Sequence, residues 1–141
     1  MATEFHVFDL SKWPTVHVSL QRAPLHDGEI LDFQKTFCGL LHLAAYGTSD
    51  RAPCALKLVM CLDGIVDATP AQQYQASLFI KDVKPLVLAG ALCATALVVT
   101  SPGARSMLDL ILSIAPLASE HRVFDTVPEG LAWLASIREL D

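Results

Sequence analysis

Hydrophobic and polar positions along this chain follow two periods that take turns. Residues 5–10 form a short β-type run. In Thr15–Leu20, Val16, Val18 and Leu20 alternate with His17 and Ser19, the two-residue period of a strand with one buried face. The connection Ser11-Lys12-Trp13-Pro14 suits a hairpin, so these two strands are expected to be antiparallel neighbours. From Asp27 the period lengthens. Phe33, Phe37, Leu40, Leu41 and Ala44 form the stripe of a helix that Asp27 caps, with Glu29 in its first turn, running to residue 45. A polar stretch, 46–53, reads as an exposed loop, and 55–62 as a strand whose only charged residue before Leu62 is Lys57. Thr69-Pro70-Ala71-Gln72 joins a capping box to a proline at the first helical position. The helix it opens carries Tyr74, Leu78, Phe79 and Val83 and is predicted to stop before Pro85. Residues 93–99 are apolar on both faces, as in a central parallel strand. Ser101-Pro102 starts a third helix that Pro116 ends, 122–124 is a brief strand, and Thr126-Val127-Pro128-Glu129 is a second capping box opening a helix to residue 139.

The predicted order is therefore β-β-α-β-α-β-α-β-α. Repeated strand-helix-strand units imply a mixed α/β sheet of four or five strands, mostly parallel, with one antiparallel strand from the opening hairpin and helices largely on one side.

Composition narrows the class. The 141 residues fit one domain, 1–141, because two halves would each fall near the lower limit for an independent core. At 52% apolar and 18% charged the chain buries enough surface to order itself, which excludes disorder. Ten Lys and Arg against fifteen Asp and Glu leave no cationic excess for phosphates, so nucleic acid is not an expected partner. No charge occurs between Lys84 and Arg105, but Pro85, Gly90, Thr95, Pro102 and Gly103 interrupt the stretch, and no transmembrane segment is expected. The first ten residues contain Glu4 and Asp9 and lack the layout of a secretory leader. Cys38, Cys54, Cys61 and Cys93 form no C-x-x-C pair. Reduced thiols and a cytoplasmic location are the expectation.

Three stretches carry a family resemblance: Thr15–Leu20 followed by a long helix; residues 94–102, Ala-Thr-Ala-Leu-Val-Val-Thr-Ser-Pro; and Arg122-Val123-Phe124-Asp125-Thr126 leading into Gly130-Leu131-Ala132-Trp133-Leu134. With the element order, they resemble the STAS domain, and most closely its SpoIIAA-like branch of small stand-alone proteins. That resemblance covers nearly the whole chain and implies a non-enzymatic binding or regulatory module acting through protein–protein contact. In anti-sigma-factor antagonists of this fold, an Asp-Ser pair stands where the helix after the third strand begins, and that Ser is phosphorylated. Residues 62–69 here contain no serine. Thr69 is the one hydroxyl near the helix start, and so the candidate for modification or switching.

Other chemistry is sparse. Cys38 and His42 lie four apart, but two ligands do not make a zinc site, so neither a metal nor a cofactor is expected. There is no nucleophile elbow, Walker loop, H-E-x-x-H or dinucleotide fingerprint. The corner Ser101-Pro102-Gly103-Ala104-Arg105 brings free amide groups, a hydroxyl and a guanidinium together after an apolar strand. Ser101, Gly103, Ala104 and Arg105 are thus a candidate anion site, and an enzyme using that corner is a reserve reading. In 104–115 the apolar arc, with Met107, Leu108, Ile111 and Leu112, is wider than packing on a sheet requires, and Trp133 and Ile137 extend the same pattern to the last helix. Wide apolar faces mark interfaces. The leading expectation is a homodimer or a protein partner on these residues; the alternative is a carrier of an apolar, lipid-like small molecule or a peripheral membrane protein.

Overall fold

The computed structural model describes residues 4–65 and 68–137. Five strands and four helices follow one another as β1 (His6–Lys12), β2 (Thr15–Leu20), α1 (Asp27–Tyr46), β3 (Leu56–Cys61), α2 (Pro70–Leu86), β4 (Leu92–Val98), α3 (Pro102–Ile114), β5 (Glu120–Phe124) and α4 (Val127–Ser136). The strands lie in the sheet in chain order, β1 to β5, with β1 antiparallel to β2 and every later pair parallel. This is the predicted α/β fold with its five-stranded mixed sheet.

Strand alternation decides which helix covers which face. Val16, Val18 and Leu20 of β2 share one face with Leu58 of β3 and Leu97 of β4, and these pack against Phe37, Leu41, Leu86, Ile30 and Leu108 from α1, α2 and α3. The alternate positions Val59, Ala94, Ala96 and Val98 face the other way and pack under Leu134 of α4. Three helices thus share a front face and α4 covers the back. Ala96 and Gly130 let α4 come close, since a Cβ on Gly130 would stand 3.1 Å from that of Ala96. Lys57 holds α4 in place. Its Nζ donates to the carbonyls of Leu134 and Ile137, both at 3.0 Å, where a helix end has spare acceptors and favours a cation.

Four local expectations are corrected. The β1–β2 connection is only Trp13-Pro14, because Lys12 already pairs with Thr15 across an irregularity in β1. Asp27 is the first helical residue rather than the cap; His26 holds the cap position with no side-chain bond. The start of α1 is secured by Glu29, whose carboxylate accepts from the Leu25 amide at 2.7 Å and pairs with the Arg22 guanidinium. Hydrogen bonding to Arg22 draws the Glu29 carboxyl down to about 2. α2 does not stop before Pro85 but runs through it to Leu86 and on into a wider turn, Val87–Ala91, which ends around Gly90 at φ 101°. Pro85 is exposed, and so is Lys81, whose carbonyl loses its usual amide donor to the proline. α4 closes at Ser136, where Ile137 is extended, and the rest of the predicted helix lies outside the described residues.

Among the described residues no helix is long and apolar enough to cross a membrane.

Candidate functional site

The front layer does not close completely. A cavity of about 160 Å³ lies between the sheet and the three front helices. α1 contributes Phe33 and Phe37, α2 contributes Phe79 and Val83, and α3 contributes Leu108 and Ile111. The floor is the front of β3 and β4, including Met60, Thr95 and Leu97. The segment between α3 and β5, Leu117 to Ser119, closes one end. Each side chain arrives by simple periodicity: the aromatic residues of α1 recur at i and i+4, and the floor residues are alternate positions of their strands.

The lining is apolar apart from Lys84, Thr95 and Ser119. Lys84 is exposed, as is Ala118, so these two mark where the cavity meets the surface. Thr95 is 2% exposed, and its Oγ1 has no hydrogen-bond partner; the Oγ of Ser119 is likewise buried and unpaired. Buried hydroxyls are nearly always bonded, so two among the residues lining one cavity set this place apart from ordinary core.

Three of the six predicted interface residues line this cavity. Leu108 and Ile111 are buried and, with half-buried Leu112, line the cavity. Met107 is half-buried. Trp133 packs on Phe124 beneath the Arg122 guanidinium, and Ile137 joins the core under α4. Part of the apolar arc on α3 is used within the chain, because the helix packs beside α2 and borders the cavity. Its outward apolar residues are Leu110 and Ile114.

The corner at Ser101 is occupied by the chain itself. The Asp63 carboxylate accepts from the Thr100 amide at 2.8 Å, the Thr100 hydroxyl at 2.8 Å and the Ser101 amide at 3.0 Å. Burial works against the charged form of Asp63, yet these donors outweigh it and hold its carboxyl below the usual range. Ser101 Oγ caps the Ala104 amide, Ala104 is buried, Gly103 is exposed, and Arg105 turns along its own helix towards Asp109 at 3.7 Å. Thr69 is exposed and engaged in the full capping box with Gln72, its hydroxyl accepting from the Gln72 amide and its own amide donating to Gln72 Oε1.

On the back of the sheet, His17 Nε2 lies 3.4 Å from Cys61 Sγ, and Asp9 is the register partner of His17. Burial and then the Asp63 carboxylate push the Cys61 thiol up, away from a reactive thiolate. His42 stacks on Tyr46, and among the described residues no group of three His, Cys, Asp or Glu side chains converges as a metal set. All four cysteines are free.

Comparison with known proteins returns nothing that identifies the chain: no family model, no curated protein and no solved structure matches it.

Sequence reasoning passed over Thr95, Ser119 and the cavity. One signal was present, since Thr95 is the only hydroxyl between Cys93 and Val99 in the most apolar strand of the chain.

Proposed function

We propose that the chain is a non-enzymatic STAS-like binding module of the SpoIIAA-like kind, and that it holds a small apolar molecule in the front cavity. The strand and helix order and the mixed sheet with its opening hairpin support the family resemblance. The observation that carries the ligand reading is the cavity itself. At about 160 Å³, with Phe, Leu, Ile and Met on its walls, it matches in size and chemistry an apolar cavity of ~150 Å³ that stays dry and takes up benzene. Binding rather than catalysis suits a wall whose polar groups are two hydroxyls and one lysine at the border. A cytoplasmic setting suits four free thiols.

Titration of the purified protein with toluene, followed by isothermal calorimetry and backbone amide NMR, tests this reading. The expected result is saturable binding with shifts at Thr95, Leu108 and Ile111. Saturation without shifts at those residues, or failure of toluene and phenol alike to bind, would exclude it.

A second reading has its own observation. Leu110 and Ile114 on α3 and Tyr74 and Leu78 on α2 are 49%, 43%, 59% and 40% exposed. Large apolar side chains in such numbers favour contact with a second copy or a protein partner. Sedimentation of wild type and of Leu110→Lys separates the two: a wild-type dimer that Leu110→Lys dissociates supports association, and a monomer in both restricts the function to the cavity.

A further inference from the structure

The unpaired hydroxyls narrow what the cavity can hold. Resting on the cavity reading above, we infer that the ligand is a small neutral alcohol or phenol rather than a pure hydrocarbon or a carboxylate, with its hydroxyl bonded to Thr95 Oγ1. Thr95 sits on the floor, 2% exposed, and its Oγ1 finds no partner among the described residues. The second unpaired hydroxyl, Ser119 Oγ, belongs to the wall at the end where the chain enters β5. The third unpaired buried atom, His6 Nδ1, lies among the rings of Phe5, Phe8 and Phe33 and is not part of this wall. Two of the three orphaned side-chain atoms among the described residues therefore belong to residues that line one void.

A hydroxyl is both donor and acceptor, so it can give a proton to a ligand oxygen or receive one from it. A hydrocarbon would fill the space and leave Thr95 unsatisfied, which is the costly state for a buried polar group. A carboxylate would bring a full charge onto an apolar floor, where a neutral hydroxyl cannot offset its desolvation. The lysine of the lining, Lys84, is exposed and belongs to the border rather than to the strand floor. The cavity volume sets the size: a single ring or a short alkyl chain fits about 160 Å³, and a long acyl chain does not. A site built around a hydroxyl discriminates against the analogue that lacks one much more strongly than an apolar wall discriminates by a methylene.

The experiment titrates phenol, toluene and benzoate into wild type, Thr95→Val and Thr95→Ser. Valine preserves the shape and removes the hydroxyl; serine preserves the hydroxyl. Phenol affinity should fall about tenfold in Thr95→Val, as for one lost hydrogen bond, and stay within about threefold in Thr95→Ser. Toluene affinity should hold or tighten in Thr95→Val, and benzoate should not bind any of the three. Circular dichroism and the toluene titration confirm that each variant keeps its fold and its cavity. Equal losses for phenol and toluene in Thr95→Val would overturn the hydroxyl assignment and leave the cavity reading standing. Benzoate binding as tightly as phenol would overturn the neutral class. Failure of all three ligands on wild type would overturn both readings.

Discussion

Filling the cavity should stabilise the protein and weaken the uptake of toluene in one substitution. Ala76 lies on α2 and lines the void, and leucine there costs almost nothing in helix propensity. An unfilled cavity of about 160 Å³ corresponds to roughly 4 kcal/mol at ~24 cal/mol per Å³, which is the ceiling for any filling substitution. Ala76→Leu adds three carbons, worth ~0.8 kcal/mol each when fully buried, or roughly 2 kcal/mol in all. Ala76 is half-buried rather than enclosed. The expected gain is therefore about 1 kcal/mol, to be read from urea denaturation with an unchanged slope. Toluene binding should weaken at least tenfold in the same variant, because ligand and side chain compete for one space. A loss of about 1 kcal/mol or more, the signature of overpacking, together with unchanged toluene affinity, would show that the space at Ala76 is not there.

Lys57→Met should destabilise by about 2 kcal/mol, since two bonds from a charged donor to helix carbonyls are lost while the fraying end of α4 recovers part of the cost from water. Amide exchange should then quicken in α4 before it quickens in β3, and uniform loosening would contradict the anchoring role. Gly64→Ala should destabilise by about 2 kcal/mol, because the new Cβ would stand 2.5 Å from the Leu20 carbonyl oxygen and backbone must move; a change below ~0.5 kcal/mol in chemical denaturation would refute that contact. The Arg22–Glu29 pair makes stability depend on acid. The Glu29 carboxyl lies at about 2 when folded against an ordinary 4.5, so its contribution is complete above about 4.5 and is lost as pH falls towards 2. Thermal melts across that window should show Arg22→Met less sensitive to pH than wild type, and parallel curves would exclude the linkage.

How much of this was legible in the sequence depends on the range of the interaction. The start of α2 was legible because capping chemistry is local: Thr69 and Gln72 stand as their spacing predicts, whereas the cap expected of Asp27 does not form. The second expected box is altered, since the Thr126 hydroxyl accepts from the Glu129 amide while donating to the Glu129 carboxylate. The succession of strands and helices along the chain was legible because a two-residue period and a 3.6-residue period are hard to confuse over these lengths. The end of α2 was misjudged because proline removes one bond locally, whereas the neighbouring Val83 and Leu86 are held in the core by contacts distant in sequence. Asp63 could not be paired with Thr100 and Ser101 in advance, being 37 and 38 residues away from them. The cavity was beyond reach for a similar reason. Leu108 and Ile111 read as surplus apolar surface along the chain, and only the joint placement of three helices turns that surplus inwards.

The arrangement of the strands in chain order has a consequence for how the protein is made. Each new strand joins the edge left by the one before it, so the sheet can grow in step with synthesis and no strand must be inserted between two already paired. The vulnerable moment comes late. Once β4 has docked on β3, its outer edge and its back face, Ala94, Ala96 and Val98, stay bare until residues 120–136 emerge to form β5 and α4. A nascent or truncated chain ending at α3 presents an unpaired, charge-free strand edge, the template on which chains join one another into aggregates. The last two elements therefore work as a stopper on the growing sheet, and Lys57, reaching from β3 to the end of α4, is the latch that keeps it seated.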